Sequence, residues 1–166
     1  MIRTLTLFIA LMLGGCTLRP LYGGAEGGAV VSALRSVEIA PIDGKSGYLL
    51  RSALEERLGR PAGGAARYRL EITLDDQISG FGVRRDDSVT RERRTLRARY
   101  RLLETAGGTV VVDATAGSDA GIDVVSSEYA VVAAEESALE RLSQGISDQI
   151  VARVALYLKR SAAAPQ

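Results

Sequence analysis

Three stretches of the chain alternate apolar and polar residues with the period of two that is typical of a half-buried strand. A shorter stretch, Val37 to Ala40, alternates in the same way and stops at Pro41, which cannot donate a ladder hydrogen bond. The pattern therefore predicts four strands, and the Gly107-Gly108 turn joins the last two into an antiparallel meander. The apolar positions of the three longer stretches are Tyr68, Leu70, Ile72 and Leu74, then Leu96, Ala98, Tyr100 and Leu102, then Val110, Val112 and Ala114.

Two other segments repeat apolar residues at steps of three and four, which predicts amphipathic helices. The first ends near Leu58, with Ser46 as its candidate N-cap and Gly59 and Pro61 as its stop. The second runs from about Ser127 to Arg160, and Gly145 weakens its middle. Its apolar stripe is expected to be core, and Tyr129 is expected to be a packing residue like Tyr157. The first helix repeats Tyr48, Leu49, Ala53, Leu54 and Leu58, and the second Leu139, Leu142, Ile146, Ile150, Val154 and Tyr157.

The predicted order is strand, helix, strand, strand, strand, helix. Helices with one apolar stripe and strands with one apolar side fit an α+β two-layer sandwich, in which two helices pack on one face of a four-stranded mixed sheet. The other face is left to solvent or a partner. We expect a signal peptide over residues 1–15, a lipidated N-terminus and flexible tether over 16–34, a single domain over 35–160 and a disordered tail over 161–166.

The N-terminus has the pattern of a bacterial lipoprotein signal. A basic start at Arg3 precedes an apolar run of nine residues from Leu5 to Leu13, which is too short for the roughly 20 apolar residues of a bilayer-spanning helix. Gly14-Gly15-Cys16 then resembles a lipobox, whose cysteine thiol takes up diacylglycerol. The alternative is a cysteine that follows a signal peptide by chance. Thr17, instead of the aspartate that retains lipoproteins at the inner membrane, favours by resemblance the periplasmic face of the outer membrane.

The composition argues against enzymatic chemistry and against nucleic-acid binding. The chain has no histidine and one cysteine, which removes histidine-dependent nucleophile systems and clustered zinc ligands. Its 20 acids and 21 bases nearly cancel, so no global field gathers nucleic acid. The adjacent pairs Asp75-Asp76 and Asp86-Asp87 point to opposite faces if they lie in strands. We therefore expect no catalytic residues, no metal and no cofactor.

Charge is segregated along the chain despite the neutral total. Eight arginines and three acids lie between Arg84 and Arg101, whereas the following segment, 102–140, has eight acids and no Lys or Arg. Guanidinium groups at alternate strand positions are suited to binding phosphate or carboxylate. They are equally suited to pairing across the sheet with acids such as Glu71 and Asp75. The sequence leaves both interpretations open.

The order and spacing of several short motifs resemble LptE, the lipopolysaccharide-assembly lipoprotein family, in its alphaproteobacterial form. The resemblance covers nearly the whole mature chain. It implies a two-layer fold with two helices on a small sheet and a non-catalytic function. The motifs are the lipobox, Leu18-Arg19-Pro20-Leu21-Tyr22-Gly23, Tyr48-Leu49-Leu50-Arg51, Tyr68-Arg69-Leu70, Ala98-Arg99-Tyr100-Arg101-Leu102, Ser127-Glu128-Tyr129-Ala130 and Gln149-Ile150-Val151-Ala152-Arg153.

The resemblance also implies partners and a site. Family members sit at the outer membrane inside the β-barrel LptD, as its plug and assembly partner, and contact lipopolysaccharide. Lipid A presents phosphates beside acyl chains, so the contact is expected where guanidinium groups adjoin Phe81 and Val83. The expected lipopolysaccharide-binding residues are Arg84, Arg85, Arg91, Arg93, Arg97 and Arg99. The competing hypotheses are a free periplasmic lipid-binding carrier, which needs an apolar cavity, and a lipoprotein enzyme, for which the sequence offers no nucleophile–base pair.

Overall fold

The computed structural model describes residues 25–59, 65–83 and 89–163. In this part of the chain, helices pack against a four-stranded mixed sheet, so the predicted α+β class and sheet are confirmed. In chain order the elements are α1 (Ala25–Leu34), β1 (Val37–Ile39), α2 (Gly44–Leu58), β2 (Tyr68–Val83), β3 (Val89–Glu104), β4 (Val110–Asp123) and α3 (Glu128–Ala163).

The sheet follows the order of its strands along the chain. β1 pairs with β2 in parallel, and β2, β3 and β4 pair antiparallel to one another. Leu102 on β3 faces Leu70 on β2 and Val112 on β4, so the apolar positions of the three strands fall in register on one face. Gly108 adopts φ 67° in the connection between β3 and β4, which confirms the predicted turn.

The core fills the space between this apolar face and the helices. Ile146, Ile150 and Val154 of α3 are fully buried, so the predicted core role of its apolar stripe is confirmed. Leu50 and Leu54 of α2 are also fully buried, whereas Tyr48, which the sequence placed in the apolar stripe of this helix, is exposed. α2 and α3 run side by side in the same direction, because Lys45 pairs with Glu136 near the start of α2 and Arg57 pairs with Asp148 near its end. In the described segments, every helix is too short or too polar to cross a lipid bilayer.

Helix α1 corrects the prediction of a flexible tether through residue 34. Its sequence contains Gly27 and Gly28, which obscure any helical period and lower intrinsic helix propensity. Val30 and Leu34 nevertheless lie one turn apart and are buried in the core, so tertiary packing stabilises this helix. Residues 16–24, with Cys16, lie outside the described residues.

Several element ends also differ from the predictions. Helix α2 begins at Gly44 after Asp43, so Ser46 lies inside the helix instead of capping it; the predicted stop at Gly59 is confirmed. The expected tail at 161–166 is helical through Ala163. β2 extends nine residues beyond Leu74, to Val83, since pairing with β3 continues where the apolar alternation has faded.

The two tyrosines of α3 have different environments. Tyr157 packs edge-on against Tyr68, with ring centroids 6.3 Å apart, as expected of a packing residue. Tyr129 is 87% exposed, so its expected packing role is wrong. It lies at the end of the molecule where β2 and β4 end and α3 begins, which we call the distal end. The opposite end, where Tyr68 and Tyr157 meet, is the proximal end.

Candidate functional site on the open face of the sheet

Strand β3 carries a row of arginines on the sheet face that points away from the helices. Leu96, Ala98, Tyr100 and Leu102 are buried beneath the helices, so the residues between them point to the opposite, open face. β3 lies between β2 and β4, and the row therefore runs along the middle of this face. The arginine row consists of Arg91, Arg93, Arg97, Arg99 and Arg101.

Carboxylates from both neighbouring strands bind members of this row. Arg91 Nε lies 2.8 Å from Asp123 Oδ1, and this hydrogen-bonded carboxylate raises the pKa of Arg91 above its usual value. The expected cross-strand pairing with Glu71 is confirmed, because Arg101 Nη2 lies 3.0 Å from Glu71 Oε2. These pairs are exposed, and such pairs typically stabilise a protein by less than about 1 kcal/mol. An anionic ligand can therefore displace the carboxylates at small cost.

Arg99 is paired in the same way with the other neighbouring strand. Its Nη2 donates to Asp113 Oδ2 on β4 at 3.2 Å. The expected pairing partner on β2, Asp75, instead accepts a hydrogen bond from Gln77 Nε2 at 3.0 Å. Arg99 and Arg101 are thus both paired within the sheet. The partner of Arg101 is the one that the sequence suggested, whereas Arg99 pairs with Asp113 instead of Asp75.

Arg97 is the member of the row that has no ion-pair partner among the described residues. Its register neighbour on β4 is Gly117. A Cβ at Gly117 would lie 3.5 Å from Arg97 Cγ and 3.9 Å from Nη1, so the arginine stem lies across the glycine. Glycine at this position leaves room for the side chain to follow the sheet surface, with its guanidinium available to solvent anions.

Arg93 combines a cation with an apolar surface at the distal end of the row. Its guanidinium carbon lies 5.3 Å from the centroid of the Phe81 ring, which is within the range of a cation–π contact. The nearest carboxylate oxygen, on Asp119, is 3.9 Å from Arg93 Nε. The expected neighbourhood of guanidinium and apolar groups is therefore present at Phe81.

A surface pocket of about 560 Å³ adjoins the row where β1 ends. Three guanidinium groups line it, against the single carboxylate of Glu71. Pro41 turns the chain away from β2 here, which leaves the pocket open beside Arg69 and Arg101. Neither of these arginines was predicted to belong to the site. The position of Arg69 beside the row follows only from the pairing of β2 with β3. The lining residues are Ala40, Pro41, Arg69, Glu71, Ile72, Thr73, Arg99 and Arg101.

Arg94 points to the other face and has a structural role. Its Nε and Nη2 donate to both carboxylate oxygens of Asp76 at 2.9 and 2.7 Å, and its Nη1 donates to the Glu135 backbone carbonyl of α3 at 3.1 Å. The hydrogen-bonded carboxylate raises the pKa of Arg94. This arginine therefore joins the sheet to α3 beneath the distal half of the row.

The structure brings four of the six predicted lipopolysaccharide-binding residues together on one surface: Arg91, Arg93, Arg97 and Arg99. Arg84 and Arg85 lie outside the described residues. The surface offers guanidinium donors for phosphate or carboxylate oxygens. Among the residues that are described, no group of three or more acidic, histidine or cysteine side chains is arranged to hold a metal ion.

Solved structures with a similar fold come from several bacterial envelope lipoproteins. A candidate lipoprotein from Caulobacter crescentus CB15 superimposes with a TM-score of 0.67 at 28% identity, covering 81% of this chain and 98% of that one. The rare lipoprotein B of Shewanella oneidensis gives 0.53 at 10% identity, covering 76% and 96%. A minor lipoprotein from Acinetobacter baumannii gives 0.56 at 10% identity, covering 74% and 92%. The last two show the fold alone. Among curated proteins, none matches this sequence significantly.

The α+β sandwich, with arginines along its open face, thus has the fold of these small bacterial lipoproteins. The family model for LptE, lipopolysaccharide assembly, matches residues 34–154. The chain belongs to the LptE family, which confirms the resemblance found in the sequence, and its role lies in lipopolysaccharide assembly.

Proposed function

We propose that this protein is an outer-membrane lipoprotein, acylated at Cys16, that plugs the β-barrel LptD, assists its assembly and contacts lipopolysaccharide through the arginine row. The observation that carries the proposal is the row itself, on the uncovered face of an LptE-family domain. Membership of the family supports the partner, and the lipobox pattern at Cys16 supports the anchor.

Lipid A fits this face because it presents phosphates beside acyl chains. Arg97 offers a guanidinium without a carboxylate partner in the described segments, and Arg93 lies on the Phe81 ring. The pocket beside β1 adds Arg69 and Arg101 at the proximal end of the row. Phosphate groups can therefore bind along the row while an acyl chain lies against Phe81. The sequence-predicted Arg84 and Arg85 remain part of the proposed site.

Charge reversal tests this contact. We expect Arg97→Glu combined with Arg99→Glu to weaken binding of purified lipopolysaccharide about tenfold or more at low salt. The loss should be smaller at high salt, because mobile ions screen exposed charges. Surface plasmon resonance with immobilised lipopolysaccharide measures both affinities.

The matched control reverses two exposed arginines of α3, Arg141→Glu with Arg160→Glu, and changes the net charge by the same amount. These residues lie in the helix layer, away from the open face, so the affinity should change little. Unchanged binding of the Arg97 and Arg99 variant at both salt concentrations, or an equal loss in the control, would assign these arginines to ion pairing within the sheet.

The partner and the anchor are tested together in membranes. Wild-type protein purified from detergent-solubilised membranes should bring LptD with it, and mass spectrometry of its N-terminal peptide should show an acylated Cys16. Cys16→Ser should be unacylated and should leave the membrane fraction at high salt. If the purified wild-type sample contained no barrel protein, the proposed partner would be contradicted.

The alternative of a free lipid-binding carrier lacks a supporting observation in the described residues. The large side chains between helices and sheet, such as Leu50, Leu96 and Ile146, are fully buried and pack into one core. The pockets described above and beside α2 lie at the surface and are rimmed by charged groups.

A further inference from the structure

The first two turns of α3 expose apolar side chains that have no role in the arginine row. Tyr129 is 87% exposed and Val132 is 48% exposed, and Val125, just before the helix, is also exposed. Ser127 holds this end of the helix in place, because its Oγ accepts a hydrogen bond from the Ala130 backbone N–H at 3.4 Å. These apolar groups therefore stand on an ordered helix end.

The exposed side of α3 continues the side that is buried further along the same helix. Tyr129 and Val132 precede Ser147 and Ile150 by eighteen residues, which is about five turns of an α-helix. Ser147 and Ile150 are both fully buried. One side of α3 thus runs from solvent at the distal end into the core.

Neither of the other helices reaches this part of α3. α2 begins at Gly44, and its Lys45 already pairs with Glu136, one turn beyond Val132. α1 lies at the proximal end, where Ser32 and Ala33 share a pocket with Leu158 and Ser161. The groove between α2 and α3 therefore opens at the start of α2, with Tyr129 and Val132 along its continuation.

Among the described residues, the charge around this surface is negative. No Lys or Arg occurs between residues 102 and 140. The described cations nearby already bind carboxylates: Lys45 binds Glu136, Arg91 binds Asp123 and Arg94 binds Asp76. Glu128, beside Tyr129, has no ion-pair partner among the described residues. A ligand for this surface must match an exposed aromatic ring and an excess of carboxylate.

We infer that the distal end of α3, with Tyr129, Val132 and Glu128 at its centre, is a docking surface for a partner protein's segment that carries Lys or Arg beside apolar side chains. Tyrosines that become buried on binding are among the residues that contribute most to protein interfaces, and Tyr129 lies together with exposed Val125 and Val132. The opposite charge of the partner would speed association and fix its orientation. This inference goes beyond the proposed function, because that function assigns no surface of the domain to a protein partner.

Model peptides test the chemistry of this surface. The protein is the mature chain with Cys16→Ser, so that acyl chains do not themselves bind the peptides. The probe is a fluorescent amphipathic helix of Leu and Lys, roughly 18 residues or five turns long. We expect it to bind, and Tyr129→Ala to weaken the affinity about tenfold or more, as measured by fluorescence anisotropy. Glu128→Gln should reduce the affinity less, and mainly at low salt.

Two controls separate docking from general attraction. Tyr48→Ala removes a tyrosine of α2 that is 71% exposed and lies outside the docking surface. The peptide affinity of this variant should therefore equal that of the unsubstituted protein. A peptide of Leu and Glu, and one of Gly and Lys, should bind much more weakly. Equal binding of the three peptides, an equal loss for Tyr48→Ala, or no loss for Tyr129→Ala would overturn the inference. Self-association without peptide that Tyr129→Ala abolishes would identify a second copy as the occupant and overturn it as well.

Discussion

Two glycines in helices of this protein meet opposite surroundings. At Gly47 in α2, a Cβ would lie 2.6 Å from the Ile42 carbonyl oxygen, which is backbone and cannot swing aside. At Gly145 in α3, a Cβ would meet nothing within 4 Å. The first glycine is therefore required by the close approach of the loop before α2, whereas the second only adds flexibility to the unfolded chain.

Alanine substitutions should accordingly have opposite effects. We expect Gly47→Ala to lower the free energy of unfolding by about 1–3 kcal/mol through the steric contact. We expect Gly145→Ala to raise it by about 0.5–1 kcal/mol through higher helix propensity. Urea denaturation followed by circular dichroism measures both. A stabilised Gly47→Ala would contradict the close approach of Ile42.

At the scale of the secondary-structure elements, Arg94 stabilises β2 and β3 where these strands extend past the apolar core. Asp76 and Arg94 are polar residues on the helix-facing side of β2 and β3, and their side chains are only 20% and 13% exposed. Their bidentate pair, with the added bond to the Glu135 carbonyl, holds the distal half of the sheet against α3. Removal of either partner leaves the other charge unpaired in a partly buried place.

We expect Arg94→Ala or Asp76→Ala to lower the free energy of unfolding by about 1–3 kcal/mol, as is typical of hydrogen bonds to charged groups. Arg91→Ala is the matched control, because its pair with Asp123 is exposed and its loss should lower the free energy of unfolding much less. Thermal denaturation of the double variant Arg94→Ala with Asp76→Ala gives the coupling between the partners. Additive losses in that cycle would show that the two side chains act separately.

The elements also show where sequence reasoning succeeds and where it stops. Alternation predicted the strands wherever one side was apolar, as at Leu70 and Leu102, but not beyond Leu74, where Asp76 and Arg94 replace apolar residues on the inner face. The glycines of α1 concealed a helix that exists because Val30 and Leu34 reach the core. The extension of β2 beyond Leu74 and the formation of helix α1 both depend on tertiary contacts, which a local sequence pattern does not reveal.

At the scale of the whole molecule, the candidate site was predictable in kind but not in its pairings. The excess of arginine after residue 84 and its alternate spacing placed a row on one side of β3. The strand register then decides that Arg101 meets Glu71 while Arg97 faces Gly117. Pairing within the sheet is thus confirmed at Arg101, whereas anion binding at Arg97 stays a prediction.

The molecule also separates two surfaces of opposite character. The open face presents guanidinium groups along β3, and the distal start of α3 presents Tyr129 with carboxylates. They are carried by different layers of the sandwich, so an anionic ligand and a cationic partner segment can bind at the same time. Variants in one layer should leave binding in the other unchanged.

The short β1 has a mechanical consequence for a protein held by its N-terminus. β2, β3 and β4 pair antiparallel along most of their length, whereas β1 pairs with β2 in parallel through only three residue pairs, and the connection between β1 and β2 includes all of α2. Tension applied through the N-terminal chain therefore reaches α1 and these three pairs before it reaches the meander. In the proposed lipid-anchored protein, a pull from Cys16 would detach α1 and β1 before the other strands and leave the arginine row in its native register.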